Sequence, residues 1–201
     1  FLAWRDTQGM MVARNYARNG IDLLRPRVDF VHTALPPGNN LVARTELNIT
    51  PAATALLMRV SGEAHWAGRV PPMLFSAVGI AYFFLLVRRW AGLHAAWFAA
   101  AILTFSPYWL YLGRVQMPEA FAFMAALLFM LLYDVWLMTR GRAPAMGAAL
   151  SGAFLLLGKP PLGLYAVPMA ARALQRDGSG LLRRPANWGI ALFALGTFAL
   201  Y

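Results

Sequence analysis

Three long apolar stretches dominate the middle of the chain, at residues 73–87, 93–112 and 120–138. Polar side chains interrupt them rarely, and His94 and Asp134 are among the few exceptions. With allowance for tilt and ragged ends, each stretch approaches the roughly twenty residues that a helix needs to cross a bilayer. Only helices satisfy their own backbone hydrogen bonds in lipid, and no strand-like alternation competes. The pattern therefore predicts membrane-spanning helices.

Two shorter apolar segments follow, at 143–157 and 162–171, and are separated by Gly158-Lys159-Pro160-Pro161. We interpret them as a hairpin of short or re-entrant helices, and a last span is predicted from about Trp188. Residues 71–201 are thus predicted to form a polytopic integral membrane helix bundle in an all-α fold. We expect about four full spans plus the hairpin, in a piece of a longer chain that is truncated at both ends.

Residues 1–70 are more polar and are predicted to form an extracytoplasmic first loop. Residues 7–19 can form a short amphipathic helix, and 25–45 are rich in Pro, Gly and Asn and read as an irregular loop. A second helix is predicted over 51–60, with Thr50 as its N-cap and Pro51 in its first position. Both helices are expected to lie at the membrane surface.

Composition supports a membrane protein. The chain is 60% hydrophobic and only 13% charged, whereas about a quarter of the residues are charged in a typical soluble domain. The net charge of +10 could indicate nucleic-acid binding, but the arginines lie between apolar runs and do not form one tract. The absence of cysteine excludes disulfides and thiolate catalysis. The three histidines show no metal-ligand spacing, so no metal site is predicted.

The arginines also predict an orientation. Basic positions in 88–89, 140–142 and 172–184 belong inside by the positive-inside rule. The turn at 113–118 must then face outside, together with residues 1–70.

Two acids fall on this predicted outer side. Asp6 and Glu119 are candidates for base catalysis, because both lie at the water-facing ends of apolar segments. Two simpler interpretations stay open: Glu119 would only complement a helix N-terminus, and Asp6 would only pair with the adjacent Arg5. Glu46 is a third candidate acid, with solvation of a loop as the alternative.

Three cations accompany these acids: Arg69 before a span, Arg114 in the outer turn and Lys159 in the Pro-rich break. Irregular backbone at membrane depth is tolerated only where it lines a cavity, so Lys159 is a candidate for binding a phosphate. A lysine that extends to the membrane interface is the alternative. Asp134 is expected to form a structural ion pair with nearby Arg140 or to face the bundle interior.

Several motifs, in this order, resemble the GT-C membrane glycosyltransferases. The chain contains WRDTQ, TELNITP, SGEAHWAGRVP, GRVQMPEAFAF and GKPPLG. More narrowly, their order and spacing are similar to the protein O-mannosyltransferase and aminoarabinose (lipid A) transferase group. The resemblance implies an enzyme that moves a sugar from a polyprenyl-phosphate donor to an acceptor hydroxyl or phosphate. It also implies an integral membrane protein, in a bacterial inner membrane, with its site facing the periplasm.

The resemblance also assigns roles to residues. Asp6 matches the proposed general base, Glu119 the second acid and Glu46 the acid of a motif in the surface region. Relatives with a WRQAD-type opening place the base at the position of Gln8, so Gln8 and Arg5 are kept as further site residues. The positions matching residues that could hold the carrier phosphate are Lys159, Arg114 and Arg69.

A single displacement by the activated hydroxyl would invert the anomeric carbon. No cofactor is assigned, and a divalent cation is left open. The sugar, and whether the acceptor is a protein, a lipid or a glycan, also stay open. A membrane transporter or lipid flippase is the alternative function, although transporters usually carry charges or broken helices at mid-membrane. A non-catalytic assembly subunit is the third hypothesis.

Overall fold

The computed structural model of the chain describes residues 2–28, 41–42, 46–178, 180 and 184–201, without the side chains of 2–5 and 41–42. Within these residues the α-helices are α1 (Leu2–Asn19), α2 (Ile49–Ser61), α3 (Val70–Phe105), α4 (Pro107–Leu112), α5 (Glu119–Thr139), α6 (Arg142–Gly158), α7 (Ala166–Asp177) and α8 (Pro185–Leu200). Short 3₁₀ segments occupy His65–Gly68 and Pro160–Tyr165. The predicted all-α class is confirmed.

Helix α3 is a hairpin that reverses at Gly92. This glycine has φ 87° and ψ 176° inside the helix, a conformation that residues with a side chain rarely adopt. The rings of Phe84 and Trp97 lie 4.9 Å apart between centroids, although thirteen residues of straight helix would separate them by about 20 Å. The stretches predicted as two spans therefore form two antiparallel arms, 70–91 and 93–105.

Two local predictions in the first 70 residues are wrong. The predicted loop contains a small antiparallel pair of strands, β1 (Arg27–Val28) and β2 (Leu41–Val42), while 29–40 and 43–45 lie outside the described residues. Helix α2 begins at Ile49, with Asn48 and not Thr50 as the residue before it. Thr50 is buried in the first turn, with 1% of its surface exposed, so packing decides this helix start.

Helix α5 is the centre of the bundle. It packs against α3 on one side and α6 on the other, and α6 in turn packs against α8. Its buried residues include Leu127, Met130 and Leu137. Among the described segments, Glu119–Thr139 and His65–Phe105, which contains both arms of α3, are long and apolar enough to cross a membrane, whereas α6 and α8 are shorter. The division into a loop over 1–70 and a bundle over 71–201 stays a prediction.

The polar lobe, defined as the described residues among the first 68, which include α1, β1, β2 and α2, packs through its own small core. Val12 and Tyr16 of α1 contact Ala52 and Ala55 of α2, and Val28 completes this cluster. A backbone bond from Leu47 N to Leu157 O, 2.8 Å long, then ties the chain before α2 to the end of α6. The lobe therefore lies at the same end of the bundle as the break that follows α6.

Arginines gather at the opposite end of α5. Asp134 lies fifteen residues after Glu119, which is about 22 Å along a helix. It is fully buried and bonded to Arg89 and Arg172. The prediction that Arg140 pairs with Asp134 is wrong. Arg140 ends α5 in the left-handed conformation (φ 55°), and its side chain donates to Asp177 instead.

The arginine-rich end is defined by the described arginines in the ranges 88–89, 140–142 and 172–184. They are Arg88, Arg89, Arg140, Arg142, Arg172, Arg176 and Arg184. The basic positions predicted to share one face therefore do lie together. That this face is the inner one stays a prediction.

Candidate active site

Asp6 is fixed by a contact between α1 and the turn that precedes α5. Its Oδ1 accepts a hydrogen bond from the backbone N–H of Gln116 at 2.5 Å. The side chain is partly buried, so water and a substrate can still reach it. This bond joins residues that are 110 positions apart in the sequence. Gln116 itself lies three positions before Glu119, the first residue of α5.

A cavity of about 350 Å³ lies beside Asp6 and brings three of the predicted site residues together. Arg69, just before α3, and Arg114, after α4, line it with Asp6, and both arginines are exposed. His65 and Tyr111 add polar groups to the same wall. One acid and two guanidinium groups give the cavity a net positive character, which suits a phosphate.

Glu119 and Lys159 form an ion pair at the end of the bundle where Asp6 lies. Lys159 Nζ donates to Glu119 Oε1, and the side chains are only 21% and 17% exposed. The pair joins the start of α5 to the end of α6. Neither residue is among those that line the Asp6 cavity, so the structure separates them from Arg69 and Arg114.

Gln8 and Glu46 line a second, much smaller cavity of about 30 Å³ together with Gln116 and Pro118. This volume holds roughly one or two water molecules, which is much less than a sugar ring needs. The backbone carbonyl of Glu46 accepts bonds from Asn48 Nδ2 at 2.8 Å and from Tyr201. The side chain of Arg5 lies outside the described residues.

Gln116 is the structural residue that the sequence reasoning missed. It is 2% exposed, and its Nε2 donates to Thr54 Oγ1 at 2.9 Å, with Thr54 fully buried in α2. Through its backbone and its side chain it therefore connects α1, α2 and the turn before α5. The sequence feature that could have indicated this role is a polar residue directly before Met117 and Pro118 in the predicted outer turn.

The approach of α1 to this turn requires Gly9. A Cβ added at Gly9 would lie 2.3 Å from the backbone oxygen of Gln116, well inside any real contact. The bond to Asp6 and the absence of a side chain at Gly9 are therefore parts of one packing arrangement.

The described residues contain no group of three His, Asp or Glu side chains that could hold a metal ion. What the cavity offers chemically is a carboxylate that can accept a proton, next to cations that can hold an anionic leaving group.

Comparison with known proteins adds one finding. The sequence profile described as dolichyl-phosphate-mannose-protein mannosyltransferase matches residues 49–201, well over half of the chain. No curated protein and no solved structure matches the chain.

Proposed function

Since the chain belongs to the dolichyl-phosphate-mannose-protein mannosyltransferase family, and so to glycosyltransferases of the mannosyltransferase type, we propose a specific reaction for it. The protein moves a sugar from a polyprenyl-phosphate donor to an acceptor hydroxyl or phosphate at the outer face of a membrane. In a bacterial cell this is the periplasmic face of the inner membrane.

The observation that supports this proposal best is the cavity that Asp6 shares with Arg69 and Arg114. An acceptor hydroxyl must lose its proton as its oxygen bonds to the anomeric carbon, and we assign Asp6 as the base that accepts this proton. An ionised acceptor phosphate has no such proton to lose. The bond from that carbon to the phosphate oxygen breaks, and the lipid phosphate leaves with an additional negative charge. Arg69 and Arg114 stabilise that charge. One displacement inverts the anomeric carbon.

Lys159 contributes to phosphate binding only if its partner changes. In the structure its charge is compensated by Glu119. A donor phosphate that reaches Lys159 would replace the carboxylate and release Glu119 toward the outer turn. We therefore assign the first phosphate contact to Arg69 and Arg114, and a later one to Lys159.

The donor class is tested in membranes that contain the full-length protein. Labelled sugar is supplied either as the polyprenyl-phosphate conjugate or as a nucleotide sugar, with endogenous lipid-linked synthesis blocked. Transfer from the lipid conjugate alone is expected. The Arg69→Gln/Arg114→Gln variant should raise the donor KM by at least roughly tenfold, because it loses two charge-assisted contacts. Arg25→Gln/Arg27→Gln, an exposed pair outside the cavity, is the matched control.

Transfer from the nucleotide sugar, or an unchanged donor KM in the cavity variant, contradicts the proposed donor or its proposed site, respectively.

A further inference from the structure

Each of two aspartates at the arginine-rich end holds two arginines. Asp134 Oδ2 accepts from Arg89 Nε at 2.8 Å and its Oδ1 accepts from Arg172 Nε at 2.5 Å. Trp90 Nε1 also donates to Oδ1, at 3.2 Å. The carboxylate is completely buried, and these three donors occupy both of its oxygens. We call Arg89, Asp134 and Arg172 the Asp134 triad.

A second group of the same composition lies nearby at the ends of α5 and α7. Asp177 accepts a hydrogen bond from Arg140 Nη2 at 2.5 Å and forms an ion pair with Arg184, whose Nε lies 3.2 Å from its Oδ2. The Arg140 guanidinium also lies 4.9 Å from the ring centroid of Trp136. We call Arg140, Asp177 and Arg184 the Asp177 triad.

The charges at this end do not balance. Each triad keeps one uncompensated positive charge, because a single carboxylate faces two guanidinium groups. Arg88, Arg142 and Arg176 are exposed and form no ion pair with any acid in the described part of the chain. A cluster of guanidinium groups with this excess of positive charge favours the binding of an anion.

The position of the cluster identifies that anion. The arginines lie at the end of the first α3 arm, 70–91, and at the end of α5. In a membrane this is the depth of the lipid headgroups. Arg89 and Arg172 use only Nε toward Asp134, and their side chains are 39% and 31% exposed. Their remaining N–H groups form a fork that matches a phosphate. Trp90, 39% exposed and 4.9 Å from the Arg172 guanidinium, adds an interfacial aromatic ring.

We propose that the arginine-rich end is a binding site for the headgroup of an anionic phospholipid. The lipid phosphate supplies the negative charge that the two triads lack, and the acyl chains lie along the apolar helices. The site lies at the opposite end of α5 from the Asp6 cavity, so this lipid is distinct from a sugar donor. The proposal does not depend on the proposed reaction.

The test measures retained lipid on the full chain. The protein in detergent is equilibrated with equal amounts of phosphatidylglycerol and phosphatidylcholine, and bound lipids are counted by native mass spectrometry. Preferential retention of phosphatidylglycerol is expected. The Arg88→Gln/Arg176→Gln variant leaves both triads intact. It should lower the retention of phosphatidylglycerol by about 25-fold, because each arginine near an anionic surface contributes roughly a factor of five.

Arg25→Gln/Arg27→Gln removes the same charge from exposed positions in the polar lobe and should retain the lipid as wild type does. Melting temperatures of both variants establish that the fold is intact. Equal retention of the two lipids by wild type would overturn the proposal. So would equal losses in the two double variants, because net charge alone would then explain the binding.

Discussion

At the scale of single residues, the Lys159–Glu119 pair determines which charges are available near the site. Each of the two side chains is mostly buried and is bonded to the other. Removing one of them leaves its partner poorly solvated, which costs more than the net contribution of the pair. The roles predicted for them, phosphate binding and base catalysis, both require the pair to open.

A double-mutant cycle measures this coupling. Glu119→Gln and Lys159→Met should each destabilise the protein by roughly 1–3 kcal/mol, and the double variant should cost less than the sum because no charge is left alone. Thermal melting in one detergent gives the three values. Strictly additive losses would show that the two side chains do not interact in solution.

At the scale of elements, the contact of α1 with the turn before α5 sets the position of Asp6. Gly9 permits this contact, and Gln116 joins it to α2. A sequence alone does not reveal it, because the bond is made by a backbone N–H 110 residues away.

Gly9→Ala should therefore destabilise the protein by about 1–3 kcal/mol through overpacking, and it should lower transfer activity by moving Asp6. The matched control is Gly189→Ala in α8, where an added Cβ meets nothing. There the better helix propensity of alanine gives a neutral or slightly stabilising effect. Melting temperature and activity are measured together. Equal effects of the two substitutions would contradict the close contact at Gly9.

The polar lobe also carries a pH-dependent contact between α1 and the segment after α2. The hydrogen bond from Arg18 Nε to Glu63 Oε1, 2.7 Å long, holds the pKa of Glu63 below its ordinary value of 4.5. A lowered folded-state pKa means that the contact stabilises the protein above about pH 4.5. Its contribution is lost as the pH falls through the folded-state value.

The effect is small because the pair is exposed. Wild type should lose slightly more stability than Glu63→Gln between pH 6 and pH 3, in melting curves recorded at low salt. A high-salt series should remove the difference. Identical pH profiles at low salt would show that the Arg18–Glu63 contact adds nothing.

At the scale of the whole molecule, α5 separates two chemically different ends. The end with Asp6, Arg69 and Arg114 has a polar cavity, and the other end has two triads, one built on Asp134 and one on Asp177. The apolar pattern and the arginine positions were sufficient to predict this division, because both follow from burial in a membrane.

Other features could not be predicted from the sequence. The partners of Asp134 depend on how α3 and α7 pack around α5, and the start of α2 depends on the burial of Thr50. The separation of Lys159 from the Asp6 cavity follows from its bond to Glu119, which joins side chains 40 residues apart. These are tertiary contacts that override local signals.

The central claim is that Asp6 is the base of a sugar transfer from a lipid phosphate. The most direct measurement compares label transfer by wild type, Asp6→Asn and Asp22→Asn in membranes, at matched expression and with verified folding. Asp22 is a matched aspartate of the polar lobe whose side chain caps a turn by accepting from Leu24 N and Arg25 N. The account predicts that Asp6→Asn loses at least about 100-fold in rate while Asp22→Asn keeps the wild-type rate. A folded Asp6→Asn protein that transfers at the wild-type rate would contradict it.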